Sequence, residues 1–169
     1  MVSNERRIDL RVLIESTLRL SWKEQRTRAR FVLRYGPNVP LVMVNESRLA
    51  DMLRSVIGTA AHAVENGDAS GDVYITTRVD YSGDAVVEIC DTGIGISTDT
   101  LDRMFTSLFT TKVTGLELST CRKIAAELGG DLAVECVVGK GTTVTITLPK
   151  AVSLVRERAA RMITNSPHE

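Results

Sequence analysis

The chain has 169 residues, of which 43% are hydrophobic and 4% aromatic, and its 21 Lys and Arg residues balance its 21 Asp and Glu residues. This length allows one domain with a buried core, and the zero net charge argues against nucleic-acid binding through bulk electrostatics. No stretch approaches the roughly 18–20 apolar residues of a membrane span, and the 3 cysteines, without a CxxC spacing, argue against a disulfide framework or a zinc site. We therefore expect a cytoplasmic protein that contacts neither membranes nor nucleic acids.

Hydrophobic periodicity predicts the elements of the N-terminal half. Asp9 is placed to cap a helix whose apolar residues recur at helical spacing over 10–18. Residues 30–34 alternate as in a strand. Asn45 is expected to cap a long helix that ends before Asn66-Gly67 and carries the strongest periodic signal of the chain. The apolar stripe of this helix consists of Leu49, Met52, Leu53, Val56, Ile57, Ala60 and Val64.

The C-terminal half mixes strands with helices. Strands are expected over 73–79, 85–90, 132–137 and 143–148, and helices over 98–105, 118–128 and 152–163. Because strands and helices do not alternate regularly, the pattern predicts an α+β fold, with a mainly antiparallel sheet and helices on one face. We expect a tail or linker over 1–7, one domain over 8–150, and a C-terminal helix with a disordered tail over 151–169.

A carboxylate and two glycines follow the strand 85–90 directly, in the run Asp91-Thr92-Gly93-Ile94-Gly95-Ile96. Taken alone, this run is also compatible with an ordinary turn, since glycines allow positive φ. It lacks the spacing of GxGxxG and of GxxxxGK[ST], so neither of those phosphate-binding mechanisms applies. The order of the motifs around it is more specific: the long helix, this run, Phe105 to Lys112, Thr114-Gly115-Leu116, a helix ending in Gly129-Gly130, and Gly139-Lys140-Gly141-Thr142-Thr143.

This succession, over residues 8 to 149, resembles the ATP-binding catalytic domain of sensor histidine kinases. That family belongs to the superfamily shared with type II topoisomerases, mismatch-repair ATPases and spore-type anti-sigma kinases. The resemblance implies a two-layer α/β sandwich of the Bergerat type. It also implies that the chain binds Mg-ATP, hydrolyses it slowly by itself, and donates its γ-phosphate to a histidine. The implied partners are the dimerisation and phosphoacceptor helices of the same or a partner kinase, and a response regulator.

The resemblance assigns roles to residues that would contact the adenine. Asp91 matches the family carboxylate that accepts a hydrogen bond from the exocyclic amine of adenine. Such a donor offsets the free-energy cost of burying a carboxylate. Thr142 matches the threonine that supports this carboxylate, often through water. Gly93 and Gly95 would let the backbone approach the nucleotide, and Ile96 completes the same nucleotide-binding run.

Further residues are expected at the phosphates. Gly115 and Leu116 lie where the start of a helix offers N–H groups to phosphate oxygens. Lys112 either neutralises phosphate charge or is a solvated loop lysine. Only nine residues separate Phe105 from Gly115, so the lid that covers the nucleotide in this family is nearly absent, which predicts weak enclosure and fast exchange.

The long helix departs from the family pattern. Thr59 stands where the family has its magnesium-binding Asn, and Ser55 stands at the preceding family Asn. Ser55, Thr59 and His62 share one helix face. This face is either a ligand-facing row, in which the Thr59 hydroxyl coordinates magnesium, or a small-residue face packed against the sheet. His62 is either a phosphate contact or a solvated or packed helix histidine.

Two further features keep other functions open. Glu117 replaces a family glycine, and its carboxylate would repel the triphosphate unless the side chain points away. Neither His62 nor His168 has the context of a phosphoacceptor, so no catalytic residue is assigned and the acceptor histidine is expected on another region or a partner. The sequence therefore also allows a catalytically impaired pseudo-kinase that acts as a binding module, or an anti-sigma-type serine kinase.

Overall fold

The computed structural model of the protein describes residues 4–24, 29–65, 71–93, 118–137 and 140–152. These ranges form the strands β1 (Glu5–Ile8), β2 (Arg30–Tyr35), β3 (Val42–Asn45), β4 (Asp72–Val79), β5 (Ala85–Asp91), β6 (Asp131–Val137) and β7 (Gly141–Leu148). They also form the helices α1 (Leu10–Glu24), α2 (Glu46–Glu65) and α3 (Leu118–Glu127). The helix predicted over 98–105 lies outside the described residues, as does the one over 152–163 apart from its first residue.

The larger sheet has the strand order β2-β4-β5-β7-β6. β2 pairs with β4 in parallel, and every other neighbouring pair is antiparallel. α2 packs on β4, β5 and β7, while α3 packs on β6 and β7. In β4 the buried side chains of Val73, Ile75 and Thr77 alternate with less buried ones, as expected when one face of a sheet carries the core. The predicted α+β, two-layer architecture with a mostly antiparallel sheet is confirmed.

The core lies between the helices and this sheet. Every residue of the apolar stripe predicted on α2, from Leu49 to Val64, is buried. The sheet contributes fully buried aliphatic side chains such as Ile75, Ile89 and Ile146 to the same cluster. Because burying each side chain of this size contributes roughly 1.5–3 kcal/mol, α2 is held firmly over the sheet.

Both predicted N-caps are present. The backbone N–H of Arg11 donates to Asp9 Oδ1 at 2.9 Å, and that of Arg48 donates to Asn45 Oδ1 at 3.1 Å. These caps set the first turns of α1 and α2.

Every helix within the described ranges is too short or too polar to span a membrane.

A second, two-stranded sheet was not predicted from the sequence. β1 pairs antiparallel with β3, with Glu5 opposite Asn45 and Ile8 opposite Val42. The tail or linker expected over 1–7 therefore differs from the structure, which has a strand from Glu5 onward. Four-residue strands show too little alternation to be recognised from the pattern alone.

The chain that follows β7 joins this small sheet. Lys150 forms an antiparallel bridge with Val42, and the Ala151 N–H donates to the Leu41 carbonyl oxygen at 2.7 Å. Arg7 Nη2 donates to the carbonyl oxygen of Val152, also at 2.7 Å. The beginning and the end of the described chain therefore meet beside the start of α2.

We expect Asn45→Ala to destabilise the domain by about 1 kcal/mol, because the Arg48 N–H loses its cap acceptor at the start of the helix that carries the core. Urea unfolding followed by circular dichroism measures the change. Asn45→Asp keeps an acceptor at this position and serves as the control. Equal losses in the two variants would contradict the capping role.

Candidate nucleotide-binding site

Asp91 ends β5 on the face of the sheet that α2 covers. It follows the buried residues Val87 and Ile89 on that face, because side chains alternate along a strand. Its side chain is 4% exposed. The Gly93 N–H donates to Asp91 Oδ1 at 2.9 Å, and the backbone N–H of Thr142 also donates to the carboxylate. Two backbone donors from separate parts of the chain therefore hold this carboxylate in place.

Burial raises the pKa of the Asp91 carboxyl, and the two backbone hydrogen bonds oppose this shift. A carboxylate has about four acceptor positions, so the two backbone donors found among the described residues leave part of its capacity unused. Burial of such a group costs free energy unless further donors reach it. The Asp91 carboxylate is therefore suited to accept hydrogen bonds from a ligand.

Thr142 provides a second polar group on the same face. It is 7% exposed, and its Oγ1 has no hydrogen-bond partner among the described residues. Buried hydroxyls without a partner are uncommon in folded proteins, and a ligand or an ordered water normally completes them. An acceptor and a hydroxyl thus stand side by side on neighbouring strands, each with hydrogen-bonding capacity to spare.

Two glycines allow the backbone to pack tightly around Asp91. A Cβ on Gly93 would lie 2.8 Å from the carbonyl oxygen of Ala63 in the last turn of α2. A Cβ on Gly141 would collide with the Asp91 carbonyl oxygen, and Gly141 has φ +119°, a conformation that favours glycine. Gly141 was not among the predicted site residues. Its position directly before Thr142, in a glycine-containing turn, could have indicated it from the sequence.

The polar residues predicted on α2 have different surroundings. Ser55 is 3% exposed and its hydroxyl hydrogen-bonds the thiol of Cys121, so it faces α3. Thr59 is half-buried, and its Oγ1 donates to the Ser55 carbonyl oxygen at 3.0 Å. His62 is half-buried in the last turn, next to Ala63. At 1.5 Å rise per residue, Ser55 lies about 12 Å along the helix from Ala63, whereas His62 adjoins the contact with Gly93.

The structure therefore brings Asp91, Gly93 and Thr142 together, with the last turn of α2 above them. The predicted roles of Ser55, Thr59 and His62 stay predictions. The remaining predicted site residues lie outside the described ranges, so their roles also stay predictions: Gly95, Ile96, Lys112, Gly115 and Leu116, together with the departure at Glu117.

Comparison with known proteins identifies the family. Residues 44–152, which include α2, Asp91 and Thr142, match the family described as histidine kinase-, DNA gyrase B-, and HSP90-like ATPase. The chain belongs to this ATPase family. The resemblance predicted from the order of its motifs is confirmed.

The curated relatives of this ATPase-family domain include sensor kinases. Sensor histidine kinase ZraS of Escherichia coli (strain K12) is 32% identical over 146 residues, which cover 84% of this chain and 30% of ZraS. Sensor protein BceS of Halalkalibacterium halodurans is 37% identical over 122 residues, which cover 68% of this chain and 35% of BceS. The chain thus spans about a third of the length of these relatives.

Solved structures with the same fold include histidine kinase domains. The nucleotide-free catalytic domain of histidine kinase ThkA superposes with a TM-score of 0.73 at 27% identity, covering 86% of this chain and 97% of that domain. Full-length ShkA in complex with AMPPNP gives a TM-score of 0.76 at 22% identity, covering 90% of this chain and 32% of ShkA. The chain is therefore a histidine-kinase-type ATP-binding catalytic domain in sequence and fold.

We expect Asp91→Asn to gain stability relative to the wild type as the pH rises. The folded-state pKa of Asp91 is raised, so ionisation costs the folded wild type free energy that the neutral Asn variant does not lose. The stability difference should be small below the ordinary carboxyl pKa, grow through the raised pKa, and then stay constant. Urea unfolding of both proteins between pH 3 and 8 measures it.

Asp131→Asn, at an exposed position on β6, makes the same charge change without burial and is the matched control. A difference between Asp91→Asn and wild type that does not vary with pH would contradict the cause assigned to the shift.

We expect Gly141→Ala to be more destabilising than Gly83→Ala. Both glycines have positive φ, at +119° and +84°, so an alanine at either position is strained by about 1–3 kcal/mol. Only at Gly141 would the new Cβ also meet backbone, the Asp91 carbonyl oxygen, whereas at Gly83 it meets the flexible end of Lys150. Thermal unfolding of the two variants tests this, and equal midpoints would contradict the close packing around Asp91.

Proposed function

We propose that this domain binds Mg-ATP and donates its γ-phosphate to a histidine on a separate dimerisation and acceptor region. The observation that carries the proposal is the pair formed by Asp91 and Thr142. A buried carboxylate with unused acceptor capacity lies beside a buried hydroxyl without a partner among the described residues. The exocyclic amine and adjacent ring nitrogen of adenine offer the complementary donor and acceptor.

Each residue of the adenine end has a defined task. Asp91 accepts a hydrogen bond from the exocyclic amine, and the Gly93 and Thr142 N–H groups keep the carboxylate oriented for it. The Thr142 hydroxyl bonds the neighbouring ring nitrogen, directly or through a water. Because guanine carries a carbonyl oxygen where adenine carries the amine, Asp91 would disfavour guanine nucleotides through repulsion between two acceptors.

Magnesium would be held mainly by phosphate oxygens and water. Within the described ranges, no group of three or more His, Cys, Asp or Glu side chains is suited to hold a metal ion. This agrees with the habit of Mg²⁺, which keeps several waters and takes few protein ligands beside phosphates. Thr59 is the protein ligand we propose, since its hydroxyl donates its proton to the Ser55 carbonyl and thus keeps lone pairs for a cation.

Other residues would hold the triphosphate of the nucleotide. His62 is proposed as a phosphate contact, together with Lys112, Gly115 and Leu116, whose N–H groups and charge would neutralise the triphosphate. Catalysis would then consist mainly of positioning the γ-phosphate for in-line attack by the acceptor imidazole. The acceptor helices belong to the same or a partner kinase, and a response regulator receives the phosphoryl group next.

One observation favours a second function, that of a pseudo-kinase binding module. Ser55, at the position of a family Asn, has its hydroxyl engaged with Cys121 in the contact between α2 and α3. Thr59, at the magnesium position, is a shorter arm than Asn. A domain with these changes could keep nucleotide binding and lose efficient phosphoryl transfer.

Calorimetric titration with Mg-AMPPNP tests the nucleotide site. We expect Asp91→Ala to weaken binding by about 10- to 100-fold, because a hydrogen bond to a charged group contributes about 1.5–3 kcal/mol. Thr142→Ala should weaken binding less. Thr143→Ala is the matched control. Thr143 lies on β7 next to Thr142, but it pairs with Cys90 of β5 and its side chain faces the other side of the sheet.

A guanine analogue should bind the wild type weakly, and Asp91→Ala should reduce the preference for adenine. Equal affinity of wild type and Asp91→Ala for Mg-AMPPNP would contradict the role of Asp91. Phosphoryl transfer is tested with labelled ATP and the acceptor-helix region. Acid-labile phosphate on the product supports the histidine kinase, and acid-stable phosphate supports an anti-sigma-type serine kinase. Nucleotide binding without any phosphoryl transfer supports the pseudo-kinase.

A further inference from the structure

Cys136 lies beside Thr142 on the neighbouring strand. The two residues are directly opposite in the pairing of β6 with β7. Along β6, Cys136 shares its face with Leu132 and Val134, which pack into the core beneath the helices. Cys136 itself is half-buried. The thiol therefore continues the inner face of the sheet at the point where the apolar core ends.

Asp91, Thr142 and Cys136 form one row across three adjacent strands, which we call the site row. The Thr142 N–H donates to the Asp91 carboxylate on one side, and Thr142 pairs with Cys136 on the other. Adjacent strands are about 4.8 Å apart, so the backbone of Cys136 lies about 5 Å from that of Thr142 and about 10 Å from that of Asp91. β6 is the last strand of its sheet, so the row ends at a sheet edge.

A ligand at the site row is indicated independently of the cysteine. Thr142 is more than nine-tenths buried, and its Oγ1 has no partner within the described ranges. This hydroxyl belongs to the face that carries Asp91 and Cys136. A ligand that hydrogen-bonds the Thr142 hydroxyl would therefore also lie close to Cys136.

We propose that Cys136 is a modification site through which thiol-directed reagents, such as low-molecular-weight disulfides, control access of nucleotide to the Asp91–Thr142 pair. This inference rests on the proposed nucleotide binding. The Cys136 thiol loses its proton, and its sulfur attacks one sulfur of the disulfide. A Cys136–reagent S–S bond forms, the original S–S bond breaks, and the second half leaves as a thiolate. A dithiol reductant reverses the reaction.

The attached group would interfere with the nucleotide through its size. A substituent that extends four or more bonds beyond the sulfur spans the distance of about 4.8 Å to the next strand and covers Thr142. Because it would occupy the position of the base, Mg-AMPPNP and the modification should exclude each other. Each should therefore slow or weaken the other.

The other two cysteines serve as internal controls. Cys121 is 0% exposed beside Ser55, and burial raises the pKa of its thiol, so it should react slowly. Cys90 is half-buried but pairs with Thr143, so its side chain lies on the opposite face of the sheet from the site row. A reagent that reaches Cys90 should leave the nucleotide site open.

The first experiment measures the Mg-AMPPNP dissociation constant by calorimetry before and after treatment with glutathione disulfide, for wild type, Cys136→Ser and Cys90→Ser. We expect treatment to weaken binding at least tenfold in wild type and Cys90→Ser, and dithiothreitol to restore it. Cys136→Ser should keep the affinity of its own untreated form. Circular dichroism of the treated proteins checks that the fold is retained.

The second experiment follows labelling of each cysteine by mass spectrometry, with and without Mg-AMPPNP. Nucleotide should slow the labelling of Cys136 several-fold and leave Cys90 unchanged. Failure of untreated wild type to bind Mg-AMPPNP would overturn the proposed function. If the untreated protein binds, four outcomes would each overturn the role of Cys136 alone. In the first two, Cys136 stays unmodified after treatment, or the modified protein keeps its affinity for Mg-AMPPNP. In the other two, modification unfolds the protein, or Mg-AMPPNP fails to slow the labelling of Cys136.

Discussion

The buried carboxylate of Asp91 is the constraint on which the arrangement of the site depends. It is held by the N–H of Gly93, two residues further along the chain, and by that of Thr142 on the adjacent strand. The Gly93 donor is local to the chain, whereas the Thr142 donor is present only while β5 and β7 keep their register. A slip by one residue would move Asp91 to the other face of the sheet. The glycines at 93 and 141 follow from the same requirement, because a side chain at either position would meet neighbouring backbone.

α2 connects this site to the core of the domain. Its apolar stripe is buried over the sheet, and its last turn contacts Gly93 beside the carboxylate. The helix start is equally fixed, by the Asn45 cap and by the small sheet that β3 forms with β1. One helix therefore joins the small sheet at its start to the Asp91 site at its end.

Local features of the fold were predictable because their causes are local. The stripe of α2 and the caps at Asp9 and Asn45 follow from helical periodicity and from side-chain acceptors next to a helix start. The carboxylate and glycines after β5 were recognisable as a candidate site through the order of motifs along the chain. The small sheet was not predictable, since its strands have only four residues each and become strands only by pairing with each other.

The sequence by itself determined the class of the domain, the positions of the long elements that the structure describes, and the residues that are candidates to contact a nucleotide. Only the tertiary structure decided which of these residues meet. It paired Cys136 with Thr142 and Thr142 with Asp91, and it turned Ser55 toward Cys121 in the contact between α2 and α3. The physical reason is that periodicity and capping act within a few residues. Strand register and helix packing instead depend on how distant segments fill a common core.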